Sequence, residues 1–77
     1  METTTITVKG LQEVYDAVTA YGGEMPLIKW IRSDIGGTPD ELARYVCDIP
    51  LANGNILRIF AEGAADAEAI AERLVQH

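Results

Sequence analysis

Nothing in this chain can staple it together. Cys47 is the only cysteine and His77 the only histidine among 77 residues, so no internal disulfide and no zinc site of Cys and His ligands can form. A chain this short buries only about 60% of the surface its unfolded form exposes, and many domains of its size depend on such cross-links. The fold must therefore come from one apolar core. Apolar residues make up 48% of the chain, which is enough to build one, and a single domain over residues 1–77 is expected.

Twelve acidic side chains against six basic ones give a net charge of −6. Residues 1–37 hold five acids and three bases, and residues 38–77 hold seven and three, so neither half contains a basic patch. Sequence-independent nucleic-acid binding, which draws on clustered Lys and Arg to displace phosphate counterions, is not expected. No apolar run approaches 18 residues, and no basic leader precedes an apolar segment. Neither a membrane span nor a signal peptide is expected, and a cytoplasmic location is.

Thr4, Ile6 and Val8 alternate with Thr5, Thr7 and Lys9, the period of a half-buried strand. Beyond Gly10, Leu11, Val14, Tyr15, Val18 and Tyr21 fall on one stripe of a helix that Gly22-Gly23 should stop. Met25 to Arg32 reads as a second strand, its Pro26 suited to a strand start or edge. Thr38-Pro39-Asp40-Glu41 reads as a helix start, with a Thr N-cap, Pro at the first helical position and Glu three residues on. Leu42, Tyr45, Val46 and Ile49 then supply the stripe of a second helix ending at Pro50. Asn53-Gly54 signals a tight turn, Asn55 to Ala61 a third strand, and Ala67, Ile70, Ala71 and Leu74 the buried side of a last helix. The order β-α-β-α-β-α, with one apolar stripe per helix, predicts an α+β two-layer open-faced β-sandwich: a small antiparallel sheet with three helices on one face.

Residues suited to catalysis are few. His77 is the last residue and reads as a solvated terminus rather than a base. Cys47 has no identifiable base or cation to lower its pKa and reads as a small half-buried hydrophobe. Asp34, Asp40, Glu41 and Asp48 lack calcium-loop spacing, and Asp40 and Glu41 complement the positive end of the second helix. The glycine pairs match no phosphate-binding loop and read as turns. No metal and no cofactor is expected. In the third strand Leu57, Ile59 and Ala61 alternate with Ile56, Arg58 and Phe60, and only one set can face the helices. If the first set is inside, Ile56, Arg58 and Phe60, joined by Trp30 of the neighbouring strand, form an open sheet face of the kind that contacts another protein. The competing reading puts Trp30 or Phe60 in the core.

The second half of the chain resembles the phosphocarrier protein HPr family of the bacterial sugar phosphotransferase system. The resemblance is carried by Val46-Cys47-Asp48-Ile49-Pro50-Leu51-Ala52-Asn53-Gly54 and by Leu57-Arg58-Ile59-Phe60-Ala61-Glu62-Gly63-Ala64. They look like that family's helix-two end, its short turn, its last strand and the start of its final helix. The likeness spans about residues 41–76. Where the family has a Gly-Leu/Ile-His-x-Arg-Pro-Ala loop, this chain has Gly10-Leu11-Gln12-Glu13-Val14-Tyr15-Asp16-Ala17, so Gln12 replaces the phospho-accepting His. Leu42 stands where many Gram-positive members carry a regulatory Ser. An amide cannot become a phosphoimidazole, and Glu13 would repel an incoming phosphate.

The resemblance thus implies an HPr-like scaffold without phosphocarrier chemistry: a non-enzymatic interaction or regulatory module. Its partner would be another protein, contacted through Gln12 and Glu13 at the helix-one start, through Arg44 and Tyr45 on helix two, or through the open sheet face. A monomer or weak homodimer is expected, with no nucleic-acid or membrane partner. The alternative is a ferredoxin-like small-ligand-binding regulatory domain that dimerises through its sheet. An enzymatic role through Cys47 is a third reading.

Overall fold

The computed structural model describes residues 2–23 and 37–75, with Val75 described by its backbone alone. The segment Met25 to Arg32, with Trp30, lies outside the described residues, as do Asp34 and His77. The described elements are β1 (Thr3–Val8), α1 (Leu11–Tyr21), α2 (Pro39–Arg44), β2 (Tyr45–Pro50), β3 (Ile56–Ala61) and α3 (Ala64–Val75). Together they form a small α+β domain.

The sheet runs β1-β3-β2, with β3 parallel to β1 and antiparallel to β2. It is therefore mixed, where an antiparallel sheet was expected. β2 and β3 are a hairpin, which makes them antiparallel. Among the described residues α1, α2 and β2 lie between β1 and β3 in the chain, and β1 pairs alongside β3 in the same direction. Asn55 fixes the start of this pairing: its Oδ1 accepts from the Glu2 N–H at 3.0 Å, while the Glu2 carbonyl accepts from the Ile56 N–H at 2.9 Å.

The second helix is the largest departure from expectation. It covers only Pro39–Arg44, and Tyr45, Val46 and Ile49 belong to β2. Its start is as expected: Thr38 Oγ1 accepts from the Glu41 N–H at 3.2 Å, and Pro39 occupies the first turn. Six residues carry no buried stripe of their own. What the spacing of Leu42, Tyr45, Val46 and Ile49 mimicked was a run buried on both faces, which periodicity cannot tell from a helix.

Two helices build the core with the sheet. Val14 of α1 and Ala67, Ile70 and Leu74 of α3 are buried against Val8, Cys47, Ile49, Leu57, Ile59 and Ala61. Leu11, Tyr15 and Val18 line the rim, but Tyr21, expected on the same stripe, is 46% exposed. It is the last helical residue, and the chain turns beneath it at Gly22, whose φ of 71° is the left-handed conformation that glycine adopts without steric cost. The next residue, Gly23, bridges to Leu51 and lies so close to the hairpin that a β-carbon there would sit 2.7 Å from Ile49 Cγ2.

The hairpin loop explains the Asn53-Gly54 signal. The Leu51 N–H donates to Asn55 O at 2.9 Å and the Gly54 N–H to Leu51 O at 3.0 Å, with Gly54 at a φ of 86°. This is a three-residue hairpin connection with glycine in the left-handed position. Asn53 Oδ1 accepts from the Asn55 N–H at 3.0 Å, an Asx turn that holds the loop.

Candidate functional site

Register assigns each strand residue to a face. On the helix side lie Thr4, Ile6 and Val8 of β1, Leu57, Ile59 and Ala61 of β3, and Cys47 and Ile49 of β2. The second face carries Thr3, Thr5 and Thr7, then Ile56, Arg58 and Phe60, then Tyr45, Asp48 and Pro50. An irregularity between Tyr45 and Cys47 lets both Tyr45 and Asp48 reach this second face. The set Leu57, Ile59 and Ala61 is thus the inner one, and Phe60 lies outside the core cluster.

The second face is graded rather than uniformly open. The β1 threonines are exposed, Ile56, Arg58 and Phe60 are half-buried, and Tyr45 and Asp48 are buried. Asp48 is 1% exposed, the one buried charged side chain among the described residues. A carboxylate in that position is tolerable only when its oxygens are filled by donors. Three converge on it. The Tyr45 hydroxyl donates to Oδ1 at 3.0 Å, Arg58 Nε donates to Oδ1 at 3.0 Å, and Arg58 Nη2 donates to Oδ2 at 2.9 Å. Asp48 and Arg58 are direct cross-strand partners, so sheet register itself presents the guanidinium fork to the carboxylate. These hydrogen bonds raise the pKa of Arg58 above its ordinary value, and burial opposes them only in part. The Tyr45 and Phe60 rings pack in a T-shaped arrangement, 5.8 Å between centroids and tilted by 70°. Polar triad and aromatic pair together lock the β2–β3 half of this face.

The residues proposed for partner contact divide in two. Gln12 and Glu13 are exposed at the start of α1, yet each is already engaged. Glu13 Oε2 accepts from the Lys9 N–H, and Gln12 Nε2 donates to Asp16 Oδ1 at 3.1 Å. Gly10 has no side chain to cap the helix, and Glu13 places its negative charge in the first turn, at the positive end of the helix. Arg44 and Tyr45 do not sit together on a helical surface. Arg44 closes α2, half-buried, its Nε 3.3 Å from Asp40 Oδ2 in an ion pair one helical turn long whose geometry forms no hydrogen bond. Tyr45 opens β2 and is 3% exposed, so its ring belongs to the interior of the second face.

Cys47 faces the helices at 3% exposure, packed in the core cluster beside Ile59 rather than half-buried off a helical stripe. Asp40 and Glu41 lie in the first turn of α2 as expected. Among the described residues no three His, Cys, Asp or Glu side chains are grouped to hold a metal ion, and no helix is long and apolar enough to cross a membrane. The spacing of the sequence places Tyr45 and Asp48 on a helix, away from Arg58, and so does not bring the Tyr45–Asp48–Arg58 group together. The available signal was spacing: Asp48 and Arg58 stand five residues to either side of Asn53 in the turn, which makes them cross-strand neighbours in a hairpin. Compared with protein-family models, curated proteins and solved structures, the chain gives no match.

Proposed function

We propose that the chain is a non-catalytic protein-interaction or regulatory module, HPr-like in descent but without phosphocarrier chemistry, that recognises another protein through the second face of its sheet. The observation that carries this reading is the half-buried strip of Ile56, Arg58 and Phe60 beside the exposed hydroxyls of Thr3, Thr5 and Thr7. The strip is preorganised. Arg58 is fixed by Asp48 and Phe60 is packed on Tyr45, so little side-chain freedom remains to be lost on binding. The charge of Arg58 is already matched inside the fold, which leaves apolar carbon and hydroxyl groups as the binding character. A partner with a small apolar patch flanked by hydrogen-bonding groups fits that surface.

The absence of phosphocarrier chemistry rests on Gln12 and on Glu13, whose negative charge in the first turn of α1 opposes an incoming phosphate. HPr-like descent rests on the β3–α3 half of the resemblance, since Tyr45–Pro50 is a strand here where the likeness implied a helix end. The test has two parts. A partner crosslinked by the wild-type protein should be lost with Ile56→Ser and kept with Gln12→Ala; retention by Ile56→Ser, with its fold intact by circular dichroism, would remove the surface. Incubation with phosphoenolpyruvate and the general phosphotransfer enzyme should yield no phosphorylated species, and the appearance of one would overturn the chemistry.

A further inference from the structure

We propose that β1 is a self-pairing edge: two copies of the chain join antiparallel through Thr3–Val8, with Thr5 on the two-fold axis, to make one continuous sheet. This goes beyond the binding role of the sheet face and uses a different part of β1, its backbone edge. In a parallel pair one strand turns the N–H and C=O of every second residue toward its neighbour. Because the Glu2 carbonyl accepts from the Ile56 N–H, and Thr3 is the register partner of Ile56, the even-numbered residues of β1 bond to β3. Thr3, Thr5 and Thr7 turn their N–H and C=O groups the other way. No strand pairs with that side among the described residues.

Proteins ordinarily blunt such an edge with charge, proline or a bulge. Thr3–Val8 has none of these: its sequence is TTTITV and its pairing to β3 is regular. The occupant follows from the alternation. Antiparallel strands exchange bonds between residues that both point outward, so odd residues must oppose odd residues. Centring on Thr5 satisfies this over the whole strand: Thr5 opposes its own copy and Thr3 opposes Thr7 of the second copy. The same residues serve on both sides, as an isologous two-fold interface requires. Cross-strand Thr–Thr pairs are favourable, and opposite-facing Thr4 meets Ile6 of the second copy on the helix side. A register centred on Ile6 would instead bring Lys9 into the ladder, and the Lys9 N–H is already given to Glu13.

Each copy carries −6, so association works against charge repulsion and strengthens with salt. Sedimentation equilibrium up to about 1 mM protein, at low and at high sodium chloride, should show a concentration-dependent rise toward twice the monomer mass, larger at high salt. Amide exchange under the same conditions should show Thr3, Thr5 and Thr7 gaining protection with concentration while Thr4, Ile6 and Val8 do not change. Thr5→Pro removes only an outward donor and leaves the ladder to β3 whole, and Thr5→Lys sets two ammonium groups together on the axis. Each should weaken dimerisation by about tenfold or more. A protein monomeric throughout, a dimer whose odd-numbered amides stay unprotected, or a well-folded Thr5→Lys that dimerises undiminished would overturn the proposal. Ile56→Ser should leave the dimer intact, so failure of this inference is distinguishable from failure of the face-binding reading.

Discussion

At the scale of single residues, Asp48 and Arg58 are unequal partners. The carboxylate is 1% exposed and the guanidinium side chain 22%, so water can reach the cation if the pair is broken but cannot reach the anion. Removing the cation strands a buried charge. Arg58→Met is therefore expected to destabilise by about 3–5 kcal/mol, whereas Asp48→Asn, which keeps an acceptor for the donors around it, should cost roughly 1–3 kcal/mol. Urea unfolding of the two variants measures the difference, and the reverse order would mean that Asp48 is not the confined member. The pair also has a defined pH signature. A folded pKa raised above the unfolded one contributes stability that is complete below the ordinary guanidinium range and fades only as pH rises through the folded value. Arg58 thus adds no slope to stability across neutral and moderately alkaline pH.

At the scale of elements, the two glycines after α1 do different work. Gly22 is needed for its backbone, since nothing lies near its missing side chain and its φ is 71°; Gly23 is needed for space, against a fully buried Ile49. Gly22→Ala should cost about 1 kcal/mol through the left-handed conformation. Gly23→Ala should cost more, about 1–3 kcal/mol, because the Ile49 methyl has nowhere to retreat. Chemical denaturation that ranked them the other way would show that the α1 end does not press on the hairpin. These glycines also indicate how much the sequence disclosed. A period of two and a period of 3.6 marked β1, α1, β3 and α3 almost to the residue, because each has one wet side that breaks the pattern. β2 has no wet side. With Tyr45 to Ile49 all buried, the spacing of its apolar residues matched a helix, and Pro50 looked like a stop signal. Asn53-Gly54 flanked by two apolar runs is the signature of a hairpin, but the first of those runs fits a helix equally well. The cluster on the second face was lost with that strand, while Ile56 and Phe60 could be placed from alternation within β3 alone.

At the scale of the whole molecule, stability concentrates on β3. It pairs with both of the other described strands, and Leu57, Ile59 and Ala61 have no exposure at all. Ile59→Ala should lower stability by about 2–5 kcal/mol, much of what a domain of this size has, while Ile6→Ala on half-buried β1 should cost less. Thermal and urea midpoints of the two proteins decide the ranking, and equal losses would mean the core is shared evenly across the sheet. With a single cysteine the chain has no internal disulfide to supplement these contacts, so each core methyl is a large fraction of the whole.

The bond between Glu2 and Asn55 joins residues 53 positions apart. During synthesis β1 and α1 emerge well before β3, the strand that β1 pairs with. They must wait without that neighbour, and the cost of closing so long a loop falls in the assembly step itself. This places the docking of β1 late in folding, after the hairpin and α3 have a surface to offer. Until then a threonine-rich segment with both of its edges unpaired is exposed to whatever other nascent chains are near it.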